Sequence, residues 1–393
     1  MRGTRGYRRA VAALFIAGHA TFSLVFCIQP LLPDLVGTFR IGAAESALAL
    51  SLTTAALALA ILLSGMIAEM VDRRRMMLGA MLGAGLVGMA GSLATDWHLF
   101  LASRLLEGLL LGGMPAVALA YVAVEVDPRD VGRASAIFIA GTGLGAMMGR
   151  VGAGIIADQA SWRLALAVIG GLTVLGAMLF GILLPQPVHR PRGNGLNLRR
   201  HLKAWKSHLA HRRLCLLLLQ GFVLGGVFVT FFNFIGFVLM APPFNLTQTV
   251  ISLILFVYAF GIVASIVAGE VSARFGQARP LAAGMLVMMA GIALSTAASL
   301  PVVIGGIIIL TIGFFVGHAI ASGWVGQVAR HDRGHATSLY LLSYYGGASL
   351  MGWVGGKLWD GGGWTPVALA SLALAALGLL LAALAMRWRA AAG

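Results

Sequence analysis

Charged side chains are scarce in this sequence: only 10% of its 393 residues are Asp, Glu, Lys or Arg, where a soluble domain carries about 25%. Hydrophobic residues make up 59% of the chain, and its mean hydropathy is +0.92. A water-soluble fold could not bury so large an apolar fraction, because too few polar side chains remain to cover its surface. The composition therefore excludes a soluble protein and predicts a multi-pass membrane protein.

Several kinds of site are also missing. The only two cysteines, Cys27 and Cys215, lie in apolar runs, which predicts neither a disulfide nor a metal site. The sequence has no Gly-x-x-x-x-Gly-Lys loop for a nucleotide phosphate, no His, Cys and Asp cluster with metal-ligand spacing, and no nucleophile–base pair. We therefore expect no cofactor, no metal, no ATP-driven step and no enzyme activity.

Apolar segments of about 20 residues, each able to cross a bilayer as a helix, number roughly twelve. The first follows Arg8 and Arg9 and continues through Gln29 and Pro30 without a convincing cleavage site, so we interpret it as a retained helix. With the N-terminus inside, 23 of the 28 Lys and Arg residues fall in cytoplasmic segments. The net charge of +15 thus reflects orientation rather than nucleic-acid binding, and both termini are predicted to be cytoplasmic.

A Pro-, Arg- and His-rich segment, residues 185–212, divides the chain into an N-terminal half, 1–184, and a C-terminal half, 213–393. It is predicted to be a cytoplasmic linker with a short surface helix around residues 198–209. The halves echo each other at an offset of 202, since Gly132, Gly145 and Asp158 recur as Gly334, Gly347 and Asp360. We therefore predict two parallel repeats of six helices each.

The charged loop between the second and third apolar runs orients the chain, because adjacent arginines stay on the cytoplasmic side. It resembles the helix 2–3 loop of the major facilitator superfamily: Gly65, Arg73 and Arg74 match that motif, Glu69 replaces its Asp, and Asp72 replaces its second Gly. The resemblance implies an all-α fold of twelve transmembrane helices in two six-helix bundles. It also implies that these residues form a conformational latch, in which the acid braces helix 2 against the start of helix 11.

The fourth run opens with Arg104, Glu107, Gly108 and Gly112, which resembles the fourth-helix motif of the same superfamily with Glu107 in place of Gln. In relatives this arginine is tied to proton coupling. Because Arg104 and Glu107 are three residues apart on a helix, a purely structural ion pair is the alternative.

The fifth run is rich in glycine between residues 141 and 154 and resembles the fifth helix of drug–proton antiporters. Ala146 stands in place of the diagnostic proline, and Arg150 replaces a later glycine. The resemblance therefore implies a related efflux branch of small-molecule exporters. Counting depth along each span places Asp34, Arg104, Glu107 and Arg150 in one outer slab. We expect Asp34 and Glu107 to share the two arginines, either as the proton-coupling cluster or as a static clamp.

A substrate cavity is suggested by polar and aromatic residues within the spans, where polar groups are costly. In the first span, His19, Phe26 and Gln29 share one helical face. Only three of the 13 acidic residues follow position 186, and Asp332 and Asp360 are expected in loops. The remaining cavity candidates are Asn233, Tyr258, His318, Tyr344 and Tyr345. Hydroxyl-bearing aromatics suit an amphipathic organic ligand, although ordinary helix packing is the alternative for each.

Together these features predict a secondary active transporter in a bacterial inner membrane, exporting a small organic molecule by proton antiport with alternating access. An uptake symporter, a uniporter, and a non-transporting receptor or lipid-handling protein on the same fold remain open. The expected partners are the substrate, protons and the lipid bilayer but no nucleic acid, and the expected oligomeric state is a monomer.

The orientation is directly testable. In Asn194→Cys, the thiol lies in the predicted cytoplasmic linker, so a membrane-impermeant maleimide should label it only after the cells are opened. Labelling from outside intact cells would overturn the predicted topology.

Overall fold

The computed structural model describes residues 4–67, 71–187, 198–329 and 331–390, and within these ranges the chain is almost entirely α-helical, with no strand. Short 3-10 turns occur at Gln29–Leu31 and Leu255–Val257. The α-helices in chain order are α1 Arg5–Phe26, α2 Leu32–Phe39, α3 Ala43–Ile67, α4 Arg73–Gly91, α5 Trp97–Leu111, α6 Gly113–Glu125, α7 Val131–Gln159, α8 Trp162–Leu183, α9 Leu198–Leu209, α10 Arg212–Met240, α11 Gln248–Ile254, α12 Tyr258–Phe275, α13 Ala278–Leu294, α14 Leu300–Val328, α15 Arg333–Gly362 and α16 Trp364–Ala390.

Nine helical stretches in the described part of the chain are long and apolar enough to cross a bilayer. Some join consecutive helices, such as α1 with α2 and α5 with α6, and the shorter α13 is also apolar. Helices are the expected solution, because every backbone N–H and C=O must be satisfied within the segment once water is absent. The all-α membrane fold predicted from the sequence is confirmed.

The chain forms two compact units. The first comprises Met1–Asp34 and Leu52–Leu198, and the second comprises Leu35–Ser51 and Arg199–Gly393. Helix α3 therefore contributes its first residues to the second unit and the rest to the first.

In the first unit, α7 packs against α1 through glycines spaced four residues apart. A Cβ atom added at Gly141, Gly145 or Gly149 would collide with a backbone carbonyl oxygen of α1. Only glycine allows two helix backbones to approach so closely, and close approach is how helices gain van der Waals contact in lipid.

The second unit repeats this arrangement. A Cβ added at Gly347 of α15 would collide with the carbonyl oxygen of Phe222 on α10, and one at Gly225 of α10 would meet the carbonyl oxygen of Tyr344. Gly347 is the counterpart of Gly145 at the offset of 202. The sequence echo between the halves thus corresponds to the same kind of glycine contact within each unit.

The α1–α7 contact predicts opposite effects for two glycines on one helix. Gly145→Ala should lower the free energy of unfolding by about 1–3 kcal/mol, because the added methyl group overpacks the contact. Gly152→Ala is the control: its Cβ would meet only Ile169 Cδ1, at 3.8 Å, so the gain in helix propensity, up to about 1 kcal/mol, should dominate. Thermal unfolding of the purified proteins in one detergent should show a lower midpoint for Gly145→Ala alone. Equal midpoints would contradict this packing.

Candidate functional site

An ion pair is buried in the first unit. Arg104 and Glu107, both on α5, are each 0% exposed. Arg104 Nη1 donates to Glu107 Oε2 at 2.6 Å, and Nη2 donates to the carbonyl oxygen of Val25 on α1 at 3.4 Å. Residues three apart on a helix lie on the same face, so α5 itself brings the two charges together.

The neighbouring glycines of α5 fix where this pair sits. A Cβ on Gly108 would collide with the carbonyl oxygen of Thr53, and one on Gly112 would collide with Ala60, both on α3. The Thr53 hydroxyl in turn donates to the carbonyl oxygen of Arg104 at 3.1 Å. The glycines that match the fourth-helix motif therefore serve as the contact surface between α5 and α3.

The second oxygen of Glu107 is the unusual feature of the pair. Among the described residues, Glu107 Oε1 is buried with no hydrogen-bond partner. Gly88 of α4 faces the same carboxylate, since a Cβ there would lie 3.3 Å from Oε2 and 3.0 Å from Leu24. Buried polar atoms in native proteins are almost always paired, so an orphaned carboxylate oxygen is a candidate for a functional group.

Arg150 of α7 is held by the first span. Its Nε donates to Gln29 Oε1 at 2.5 Å, and its Nη1 donates to the carbonyl oxygen of Ala146 at 2.6 Å. Its guanidinium carbon lies 4.1 Å from the centroid of the Phe26 ring, a cation–π contact. Gln29 reaches this position because α1 ends at Phe26 and the chain turns through Gln29–Leu31, where Pro30 lacks an N–H.

Two further predicted residues of the first unit lie on α1 and α2. Asp34 is half-buried in the first turn of α2. His19 is half-buried on α1, where its ring stacks on Phe15 at a centroid separation of 6.3 Å. The structure thus assembles Arg104 with Glu107, and Arg150 with Phe26 and Gln29.

An aromatic cluster occupies the second unit. His318 of α14 lies at its centre: its Nδ1 is 3.1 Å from the Tyr340 hydroxyl, and its ring centroid is 4.7 Å from that of Tyr344. Stacked rings extend the cluster from His318 through Phe314 to Phe228. Further ring contacts join Tyr345 to Tyr344 and Tyr258 to Phe228. Tyr340, Phe228 and Phe314 were not among the sequence candidates, because an aromatic residue in an apolar span carries no distinguishing pattern.

Asn233, the last predicted cavity residue, is 1% exposed on α10, and a Cβ on Gly352 of α15 would lie 3.2 Å from its Nδ2.

Only part of the latch motif lies within the described residues. Glu69 lies outside the described residues, and Gly65 falls at the end of α3. Asp72 is the N-cap of α4 and accepts the N–H of Arg75 at 2.9 Å. The acid that replaces the motif's second glycine therefore starts a helix, a role suited to Asp. Arg73 follows it as the first residue of α4, and Arg74 donates to the carbonyl oxygen of Gly181 on α8.

Asp360 occupies a position that the sequence does not suggest. It lies in the last turn of α15 rather than in a loop. Its two oxygens accept the N–H groups of Ala43 at 3.1 Å and Ala44 at 3.2 Å, at the start of α3. One turn earlier on α15, a Cβ on Gly356 would collide with Ala44. A carboxylate is favourable at a helix N-terminus because the first N–H groups have no partner within the helix.

A histidine pair joins α9 to α15. The surface helix predicted around residues 198–209 is confirmed as α9. His201 Nδ1 lies 2.8 Å from His335 Nε2, so one ring donates and the other accepts, and His208 Nε2 is 3.2 Å from the carbonyl oxygen of Asp332. Trp205 packs against both rings of the pair. Burial lowers the pKa of His335, and the neighbouring His201 lowers it further.

The family model described as Major Facilitator Superfamily matches residues 14–244 and 223–392 of this chain. The chain belongs to the Major Facilitator Superfamily. It is 39% identical to the inner membrane transport protein YnfM of Escherichia coli (strain K12), over 93% of this chain and 88% of that protein. It is 35% identical to the uncharacterized MFS-type transporter YybF of Bacillus subtilis (strain 168), over 93% of this chain and 90% of that protein.

Among solved structures, the chain is similar to a bacterial homologue of the human lysosomal transporter Spinster, captured in an inward-facing and occupied conformation. The TM-score is 0.82 with 98% of both chains covered, and the sequence identity is 15%, so this likeness shows the fold alone. The family and these relatives make the chain a multi-pass membrane transporter of the superfamily.

The histidine pair predicts a pH-dependent contribution to stability. A base whose pKa is lowered in the folded protein is favoured there in its neutral form. The α9–α15 contact should therefore stabilise the protein fully above about pH 6.5 and weaken as the pH falls from there through the lowered pKa. His335→Gln, which cannot titrate, should show a smaller drop in melting midpoint between about pH 8 and pH 5.5 than the wild type. His98→Gln, at an exposed histidine, should keep the wild-type drop. A full drop in His335→Gln would contradict the assignment.

Proposed function

We propose that this protein exports a small organic molecule across the bacterial inner membrane in exchange for protons, by alternating access. The observation that carries the proposal is Glu107, a fully buried carboxylate with one oxygen on Arg104 and the other without a hydrogen-bond partner among the described residues. A group that carries protons must be able to lose its charge at modest cost, and this carboxylate is paired with a single arginine.

The physical reason lies in the cost of uncompensated charge. Removing one partner of a buried ion pair costs about 3–5 kcal/mol, because the other charge then stays unpaired in a low-dielectric interior. If a conformational change draws Arg104 away, Glu107 avoids this cost by binding a proton. When Arg104 returns, the proton is released. Proton binding is thereby linked to the conformational state, which is what coupled transport requires.

Arg150 is the second cation of the proposed coupling cluster. Its charge is stabilised by a neutral amide, a carbonyl oxygen and an aromatic face. None of these three groups takes or gives a proton near neutral pH. We propose that Arg150 contributes a permanent positive charge to this part of the first unit, which favours the charged form of a nearby carboxylate such as Asp34 or Glu107.

The aromatic cluster of the second unit suggests the class of substrate. His318, Tyr344 and Tyr258 combine ring faces with groups that donate or accept hydrogen bonds, and the cluster contains no Asp, Glu, Lys or Arg. Binding sites of this kind suit amphipathic organic molecules, whose apolar part stacks on the rings while a polar part is hydrogen-bonded. A static clamp at Arg104–Glu107, with no proton transfer, is the alternative for the first unit.

The test separates coupling from a clamp. A strain carrying the transporter is first screened for growth against a panel of toxic organic compounds, with and without a proton gradient, to find a substrate. Wild type, Glu107→Gln and Asp34→Asn are then reconstituted in proteoliposomes with that compound. Under the coupling mechanism the variants retain counterflow, but their pH-driven transport falls by at least about tenfold, because the uncharged side chains carry no proton.

Glu270→Gln provides the matched control, since it removes an exposed carboxylate on α12; its pH-driven transport should equal that of the wild type. A clamp would instead lower the yield of folded protein and leave the surviving variants pH-driven. Normal pH-driven accumulation by both Glu107→Gln and Asp34→Asn would end the proton-carrier assignment.

A further inference from the structure

Two cavities adjoin in the second unit, where α10 begins and α14 ends. The outer cavity has a volume of about 600 Å³ and the inner one about 80 Å³. Both are lined by Arg213, Trp324 and Val328. Because they share these residues, the two cavities form one path, which leads from the ends of α10 and α14 inward between the helices of the second unit.

The outer cavity is basic and polar. Besides the shared residues, its lining includes Ser207, His208, His211, Gln327 and His331. The described lining of both cavities contains no Asp or Glu. Arg213 supplies a permanent positive charge, and His211 and His331 can add N–H donors, so the outer cavity is suited to an anion.

The inner cavity is narrow and apolar. Its apolar walls come from three helices, α10, α13 and α16, through Leu216, Leu217, Leu281, Leu381 and Ala385. The exception is Gln220, which is 1% exposed. Gln220 Oε1 has no hydrogen-bond partner among the described residues, and its Nε2 contacts only the sulfur of Met285, at 3.1 Å. Trp324 lies where the polar and apolar parts meet, the position that tryptophan favours at a membrane–water boundary.

We propose that this path binds an acidic phospholipid of the cytoplasmic leaflet, with its phosphate at Arg213 and the histidines and the start of an acyl chain in the inner cavity. The arrangement of a basic, acid-free mouth on an apolar channel matches a molecule with an anionic head and a hydrocarbon tail. The mouth lies beside α9 and the charged loop before α15, at the end that the charge distribution predicts to be cytoplasmic. Basic pockets between helices at that side of a membrane bind acidic lipid headgroups.

The test is native mass spectrometry of the full-length protein in detergent, titrated with phosphatidylglycerol or with phosphatidylcholine of the same acyl chains. We expect one phosphatidylglycerol to stay bound at concentrations that retain no phosphatidylcholine. Arg213→Gln should weaken this binding about fivefold, the effect of one cation near an acidic headgroup. Trp324→Ala should weaken it as well, because the indole lines both cavities and its contact with the lipid is lost.

Arg274→Gln is the matched control, because Arg274 is an exposed arginine at the end of α12 that lines neither cavity. It should bind phosphatidylglycerol as the wild type does. Each variant is first checked for an unchanged melting midpoint, and Arg213, like Arg274, is an exposed residue.

Three results would overturn the proposal. Equal retention of the two lipids would exclude headgroup recognition. Equal loss in Arg213→Gln and Arg274→Gln would show a diffuse charge effect instead of a site. Displacement of the bound lipid by an equal concentration of glycerophosphoglycerol, the headgroup without acyl chains, would show a soluble phosphate site with no role for the apolar channel.

Discussion

The cost of holding charge away from water is the constraint on which the first unit depends. Each buried ion costs several kcal/mol, by order of magnitude, unless it is paired or hydrogen-bonded. The unit meets this cost at Arg104 and Glu107 by placing both on one helix face, and at Arg150 by surrounding the guanidinium with Gln29, Ala146 and Phe26. The glycine contacts of α5 and α7 with their neighbours hold the helix backbones that carry these side chains close together. Close backbone packing and buried charge are thus two parts of one arrangement.

The two units differ in chemistry while sharing a packing plan. Gly145 and Gly347 make equivalent backbone contacts within their own units, but ten of the 13 acidic residues precede position 186. The second unit has an aromatic cluster around His318, whereas the first has the buried Arg104–Glu107 ion pair and the contact of Arg150 with the Phe26 ring. A transporter that couples two events needs groups that respond to protons and groups that respond to substrate. The asymmetry supports assigning the response to protons to the first unit and part of the response to substrate to the second unit.

Hydropathy and charge sufficed to predict the helical membrane fold and the surface helix α9, because these depend on local composition and period. The superfamily was predicted from the resemblance of the helix 2–3 loop and the fourth helix to its motifs. The contacts of Arg150 with Gln29 and of His201 with His335 could not be predicted, since they join residues more than 100 positions apart. Asp360 was expected in a loop, yet α15 continues to Gly362 and the carboxylate caps α3. Asp72 departs from the family motif, and only the structure shows that it caps α4. A residue that departs from a sequence motif can thus have a structural role, here a helix cap, that the motif does not reveal.

The central claim is that Glu107 exchanges a proton when the transporter changes state. Infrared difference spectroscopy measures this directly, since a protonated carboxyl group has a carbonyl band distinct from that of a carboxylate. Addition of a transported compound to the purified protein should change the intensity of such a band, and the change should be absent in Glu107→Gln and present in Glu270→Gln. A carboxyl band that responds equally in Glu107→Gln and in the wild type would contradict the account.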